Sequence, residues 1–242
     1  MTVLNDMFLY LRRPSFIARR EAFTPDSLMV IFKLLGLSFI MLPLTGLLLG
    51  TVFAVTGVSL PEPSDAFQNM AQQSNFILLA AVAAPLIEEG LFRSWLGKRW
   101  GVLLIAPGLL AVAVIWTLLG REDISSGLRL VAGSAVIGSF ALYLARYWRL
   151  RSESSVLDRA LRRVFPYAFW ATSLAFGAMH LANYEGGEMG LLLPLLVLPQ
   201  FIVGVIIGYV RMRFGLLAAI GFHSGYNTIL LTIFTMLAEA PL

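Results

Sequence analysis

The chain contains no cysteine, which excludes disulfides, iron–sulfur clusters and thiol catalysis. It has only two histidines in 242 residues, so any imidazole chemistry must use His180, His223 or both. Charge is scarce as well. Asp, Glu, Lys and Arg make up 13% of the chain, against roughly 25% in a typical soluble domain. Hydrophobic residues take their place at 58%, gathered in long blocks as in a polytopic membrane protein. No internal repeat, low-complexity tract or soluble domain interrupts the blocks. Residues 1–26 lack an apolar core followed by a small-residue cleavage site, so no cleavable signal is expected.

The basic excess, 18 Lys and Arg against 14 Asp and Glu, lies in short loops beside apolar runs. That placement reads as membrane orientation and not as a nucleic-acid footprint. A helix crossing the hydrocarbon core needs about 20 mainly apolar residues. This ruler gives seven spans: Leu28–Val58, Phe76–Leu96, Val102–Leu119, Leu128–Tyr147, Tyr167–Asn183, Leu191–Val210 and Leu216–Leu237. The first is overlong and carries Pro43, and splitting it would give eight. Basic and non-basic loops alternate along the chain. Arg12, Arg13, Arg19 and Arg20 precede the first span, and SLPEPSD follows it without a base. Lys98 and Arg99 come next, then a mixed loop, then a connector rich in arginine, then acidic YEGGE, then Arg211 and Arg213. The alternation predicts a cytoplasmic N-terminus in the cell membrane and an outward C-terminus.

The expected fold is therefore an all-α polytopic transmembrane bundle, one membrane domain over residues 28–242. Residues 1–27 read as a basic interfacial segment, with a tail held near anionic lipid by charge alone as the alternative. The connector Arg149–Val164 interleaves Val156, Leu157, Leu161 and Val164 with arginines and reads as an amphipathic helix on the membrane surface.

Against this background, APLIEEGLFRSWL (84–96) places three charges inside a span. A helix ending at Ile87 would have 12 residues from Phe76. That is about 18 Å, too short for a core of about 30 Å. To cross, it must run through Glu88, Glu89 and Arg93, a re-entrant segment being the alternative. Glu89 and Arg93 are four apart and face one another, acid first. Glu88 is turned about 100° away and has no basic partner on its own helix. A packing salt bridge accounts for Glu89 and Arg93 but not for Glu88, and an ionisable group in a span points to function.

Both histidines also fall in spans, His180 in LAFGAMHLANY and His223 in AIGFHSGYN, with Asn227 four residues after His223. Three helices thus supply a carboxylate, two imidazoles and an amide. Glu with His can deprotonate water, while His and Asn can donate to a developing oxyanion. The same Glu and two His can also ligate zinc. No H-E-x-x-H helix and no G-x-S-x-G elbow is present.

Glu88-Glu89-x-x-x-Arg93, Phe176-x-x-x-His180 and His223-x-x-x-Asn227, in this order and all in apolar spans, resemble the three motifs of the CPBP family. That family holds the type II CAAX prenyl endopeptidases and the bacterial Abi-type intramembrane proteases. The resemblance covers residues 76–100 and 162–230. It implies that Glu88 and His180 activate water and that His223 and Asn227 shape the oxyanion site. Glu89, Arg93 and Phe176 then support them. It further implies hydrolysis without an essential metal, zinc being the alternative. The expected substrate is a membrane-embedded or lipid-anchored peptide or protein, of the CAAX or the bacteriocin and pheromone type; no nucleic acid is expected. One departure stands out. Glu88 and His180 are 92 positions apart, whereas the family places these motifs on consecutive helices. Residues 101–165 read as an inserted helical hairpin plus connector. The competing readings are a non-catalytic immunity or scaffold protein of the same family, and a proton-coupled transporter. The complete motif set argues against the first, and the absence of inverted repeats against the second.

Overall fold

The computed structural model describes residues 2–17, 21–22, 24–94, 96, 125, 131, 134–135, 155–185 and 190–238. Among these residues the secondary structure is helical, apart from one isolated antiparallel bridge between Pro63 and Tyr184. The expected spans Val102–Leu119 and Leu128–Tyr147 and the first residues of the connector lie outside the described residues, save for a few isolated positions. Among the described residues three helices are long and apolar enough to cross a membrane: Pro25–Thr56, Leu192–Phe214 and Leu216–Met236. A fourth crossing exists if Asp65–Ala71 and Phe76–Arg93, bent by 110° at a short break, form one broken span. The described residues therefore account for three or four of the seven expected crossings of this all-helical membrane protein.

Helix α1 (Val3–Arg12) starts at a Thr2 cap whose hydroxyl accepts from the Asn5 amide. Its Tyr10 packs edge-on against Phe169 at 5.7 Å and at a tilt against Tyr209 at 5.4 Å. Burial pushes the Tyr10 phenol well above its ordinary range, so it stays neutral and donates to the Ser15 carbonyl. Pro14 is fully buried, and Arg213 pairs with Glu21 at 2.6 Å and with Asp6 at 4.0 Å. The N-terminal segment is thus docked on the bundle, while Leu4, Phe8 and Leu9 stay exposed.

Helix α2 (Pro25–Thr56) opens with a Thr24–Ser27 capping box and Pro25 in its first turn. It ends at Gly57, whose φ of 70° is left-handed and whose N–H returns to the Phe53 carbonyl. It is one helix of 32 residues, about 48 Å long, so Pro43 does not split the first span. Helix α3 (Asp65–Ala71) is capped by Ser64 and occupies what the sequence suggests is loop.

Helix α4 (Phe76–Arg93) does run through all three charges, but with a π turn over Leu79–Ala83. Pro85 explains it. Proline has no N–H for the Ala81 carbonyl, and its ring would crowd that carbonyl in a regular helix. The chain widens instead, and the Ala84 N–H bonds to Leu79, five residues back.

Helix α5 (Ser155–Met179) corrects two expectations. The described part of the connector and most of the expected fifth span form one unbroken helix with Pro166 inside it, and this helix is not among those long and apolar enough to cross a membrane. At its end the backbone tightens into a 3₁₀ turn, His180–Asn183. A second 3₁₀ stretch, Gly190–Val197, leads into α6 (Leu198–Phe214), and α7 (Leu216–Ala238) follows after Gly215. Val203 to Met212 on α6 are buried without exception. Helix α6 is therefore the axis of the bundle, with α2, α5 and α7 packed around it.

Candidate active site

Glu89 and Arg93 sit one turn apart on α4, both fully buried, with Arg93 donating to Glu89 Oε1 at 2.6 Å. The second Arg93 amino group donates to the Gly204 carbonyl on α6 at 3.1 Å. Its guanidinium lies 4.1 Å above the Phe176 ring of α5. Three helices are pinned by one side chain. This close approach requires Gly204, because a Cβ there would sit 2.7 Å from Phe176 and 3.2 Å from Arg93.

His223 on α7 comes to the same carboxylate. Its Nδ1 lies 3.0 Å from Glu89 Oε1, and a carboxylate already paired with Arg93 accepts that N–H. The opposite nitrogen, Nε2, faces Glu88 Oε2 at 3.8 Å. That separation is too long for a direct hydrogen bond, yet a single water can reach both atoms. Glu88 Oε2 is buried and has no hydrogen-bond partner among the described residues. Glu89 Oε2 is likewise without a partner, so the adjacent carboxylates differ in this: Glu89 is fixed through Oε1 by Arg93 and His223, and Glu88 lies beside His223 with no direct hydrogen bond among the described residues.

His180 stands at the end of α5. Its Nδ1 donates to the Phe176 carbonyl at 2.9 Å, which fixes the tautomer and leaves Nε2 with its lone pair. The Phe176 ring touches both imidazoles, with centroids 5.1 Å from His180 and 5.6 Å from His223. No hydrogen bond or ion pair among the described residues joins His180 to Glu88. The structure therefore brings Glu88, Glu89, Arg93, Phe176 and His223 into direct contact, with His180 one ring away.

Asn227 reaches the site differently from its expected place beside an oxyanion. Its Nδ2 donates to the Ala80 carbonyl at 2.8 Å. In a regular helix that carbonyl would accept from Ala84, whose N–H the π turn diverts to Leu79. Pro85 thus frees an acceptor that Asn227 fills, and one N–H and the oxygen of its amide remain for other contacts. Sequence reasoning missed this link, although Pro85 is its visible signal. It also missed Arg211, expected as a loop charge. Arg211 is 3% exposed and donates to the carbonyls of Arg93 and Ser94, closing the C-terminal end of α4.

Among the described residues no three His, Asp or Glu side chains are grouped to hold a metal ion. Glu89 is committed to Arg93 and His223, and both Nδ1 atoms are engaged.

Residues 71–229 match the family described as Type II CAAX prenyl endopeptidase Rce1-like. The chain belongs to this family. The match spans about two thirds of the sequence, from just before α4 to just beyond Asn227, and takes in every residue named above. No curated protein and no solved structure matches the chain. The Rce1-like family is a family of proteases, and the membrane-crossing helices agree with a membrane-associated substrate.

Proposed function

We propose that this chain is an intramembrane endopeptidase that hydrolyses a peptide bond in a membrane-embedded or lipid-anchored substrate, using water activated by Glu88 and His180. The observation that carries the reading is that Glu88 is held beside His223 at 3.8 Å with no direct hydrogen bond among the described residues, whereas Glu89 is bonded through Oε1 to both Arg93 and His223. A structural carboxylate would be left paired, because an unpaired one in a span is expensive.

In the proposed reaction Glu88 accepts a proton from water while His180 Nε2 holds the second hydrogen and orients the lone pair. The water oxygen attacks the carbonyl carbon, and the carbonyl oxygen becomes an oxyanion. His223, held in place by Glu89, and the spare N–H of Asn227 line the position of this oxyanion. Collapse breaks the C–N bond. The proton held by Glu88 passes to the leaving nitrogen, giving one carboxylate and one amine terminus. The proposed step uses no metal, zinc on Glu88, His180 and His223 being the alternative. Within the family's range, the substrate is a CAAX-type or a bacteriocin- or pheromone-type precursor.

The test is cleavage of a membrane-anchored peptide by purified protein in proteoliposomes. Glu88→Ala and His180→Ala are each expected to abolish cleavage while the protein still inserts and folds. Full activity in either variant would sink the assignment.

A further inference from the structure

Beyond the three motifs, α6 carries a polar side chain that neither the sequence reading nor the proposed mechanism uses. Gln200 lies in the first turn of α6, in the apolar stretch LLLPLLVLPQFIV. Its Oε1 is buried and has no hydrogen-bond partner among the described residues. A buried amide oxygen without a partner is unfavourable by about 1–3 kcal/mol, and native structures leave few such groups unexplained.

Its position follows from the packing of α6. Phe201 approaches Gly177, Gly204 approaches Phe176, and Gly208 approaches Phe169, so α5 and α6 run antiparallel with the start of α6 beside the end of α5. The register places Gln200 level with residues near His180. The direction follows from the helical angle of about 100° per residue. Arg211, which reaches the end of α4, and Gln200 lie within about 20° of one another around the α6 axis. Phe201 and Gly208, which face α5, lie about 80–100° round from Gln200. Gln200 is also one turn before Gly204, whose carbonyl holds Arg93. It therefore lies at the depth of His180, in angular line with the side of α6 from which Arg211 reaches α4 and a quarter-turn from the face packed on α5.

We infer that Gln200 is a substrate-binding residue of this site, its carboxamide pairing with a backbone peptide group next to the bond that is cut. A carboxamide offers the complement of a peptide group: Oε1 accepts its N–H and Nε2 donates to its C=O. This suits a protease in lipid, where an extended substrate strand has no water to satisfy its backbone. It gives affinity without regard to side chain, whereas a residue reading a side chain here would be apolar. The assignment rests on the proteolytic reading above.

The test compares wild type, Gln200→Leu and Gln200→Met in proteoliposomes. The probe is a quenched-fluorescent peptide with an S-farnesyl cysteine followed by two aliphatic residues and a C-terminal serine. A matching series replaces one backbone N–H at a time by an ester oxygen. Both variants are expected to melt no lower than wild type, since they remove a buried unpaired oxygen. Their kcat/KM should fall on the order of tenfold, mainly through KM. One ester position should weaken wild type by a similar factor and leave the variants unaffected, as a coupled pair requires. Variants within twofold of wild type, or an equal ester penalty in all three proteins, overturn the Gln200 assignment while Glu88→Gln still abolishes cleavage. Equal cleavage by wild type and Glu88→Gln, or none by wild type, overturns the proteolytic reading and the assignment that depends on it.

Discussion

Glu88 and Glu89 are adjacent, identical in chemistry and held in opposite ways. Glu89 is locked between Arg93 and His223, so its replacement should be felt first in stability. Glu89→Gln leaves the Arg93 charge buried without its counter-ion, a change that typically destabilises by about 3–5 kcal/mol. A clear drop in the thermal unfolding midpoint in detergent is the expected result, and Glu89→Gln with Arg93→Met should recover most of it. Glu88→Gln should behave in the reverse manner. It removes a charge with no hydrogen-bond partner on Oε2, so the midpoint should hold or rise, while cleavage falls by about 10²–10⁴ if Glu88 is the general base. A paired fall in both properties would mean that Glu88 is structural. The i,i+4 spacing made the Glu89–Arg93 pair legible in the sequence, and the same spacing left Glu88 without a partner on its helix. That His223 bridges toward both carboxylates was not legible, because it depends on how α7 is rotated against α4.

At the scale of elements, the decisive feature is the π turn in α4. Pro85→Ala should let the helix close regularly, return the Ala84 N–H to the Ala80 carbonyl and displace Asn227. It would also turn Glu88 and Glu89 by about 100° relative to the first turn of the helix. The expected outcome is a protein as stable as wild type or more so, since proline is disfavoured within helices by about 3 kcal/mol, but with cleavage reduced at least about tenfold. Unchanged activity would show that the π turn does not aim the glutamates. A second element-level constraint is the contact of α5 with α6. Gly204→Ala places a Cβ 2.7 Å from Phe176 and should destabilise by about 1–3 kcal/mol through overpacking, read by the same thermal assay. That the helix from Phe76 runs on through Arg93 was readable from length alone. The π turn was missed because hydropathy and span length do not register a single proline, and α3 was missed because a helix of seven residues has too little periodicity to stand out. The merging of the connector with the fifth span was missed because Pro166 and the arginines marked a boundary that the folded helix runs through.

At the scale of the whole molecule, composition was enough to place the chain in a membrane and to make it helical. The assembly of the site from α4, α5 and α7 around α6 needed the fold. The motifs identified the family, yet only packing showed that Arg93 and Arg211 tie α4 to the central helix. Because the chain has no cysteine, topology can be read with single introduced thiols. Gln72→Cys, in the exposed turn after α3, should react with an impermeant maleimide in intact cells. Arg13→Cys should react only after permeabilisation. Labelling of both from the same side would contradict a cytoplasmic N-terminus followed by one crossing. The most direct test of the central claim is terminal-peptide profiling of membranes from cells that make wild type or Glu88→Gln at equal levels. Glu88-dependent proteolysis predicts at least one new N-terminus present with wild type and lost with Glu88→Gln, together with accumulation of its uncleaved precursor; identical terminal profiles in the two membranes would contradict it.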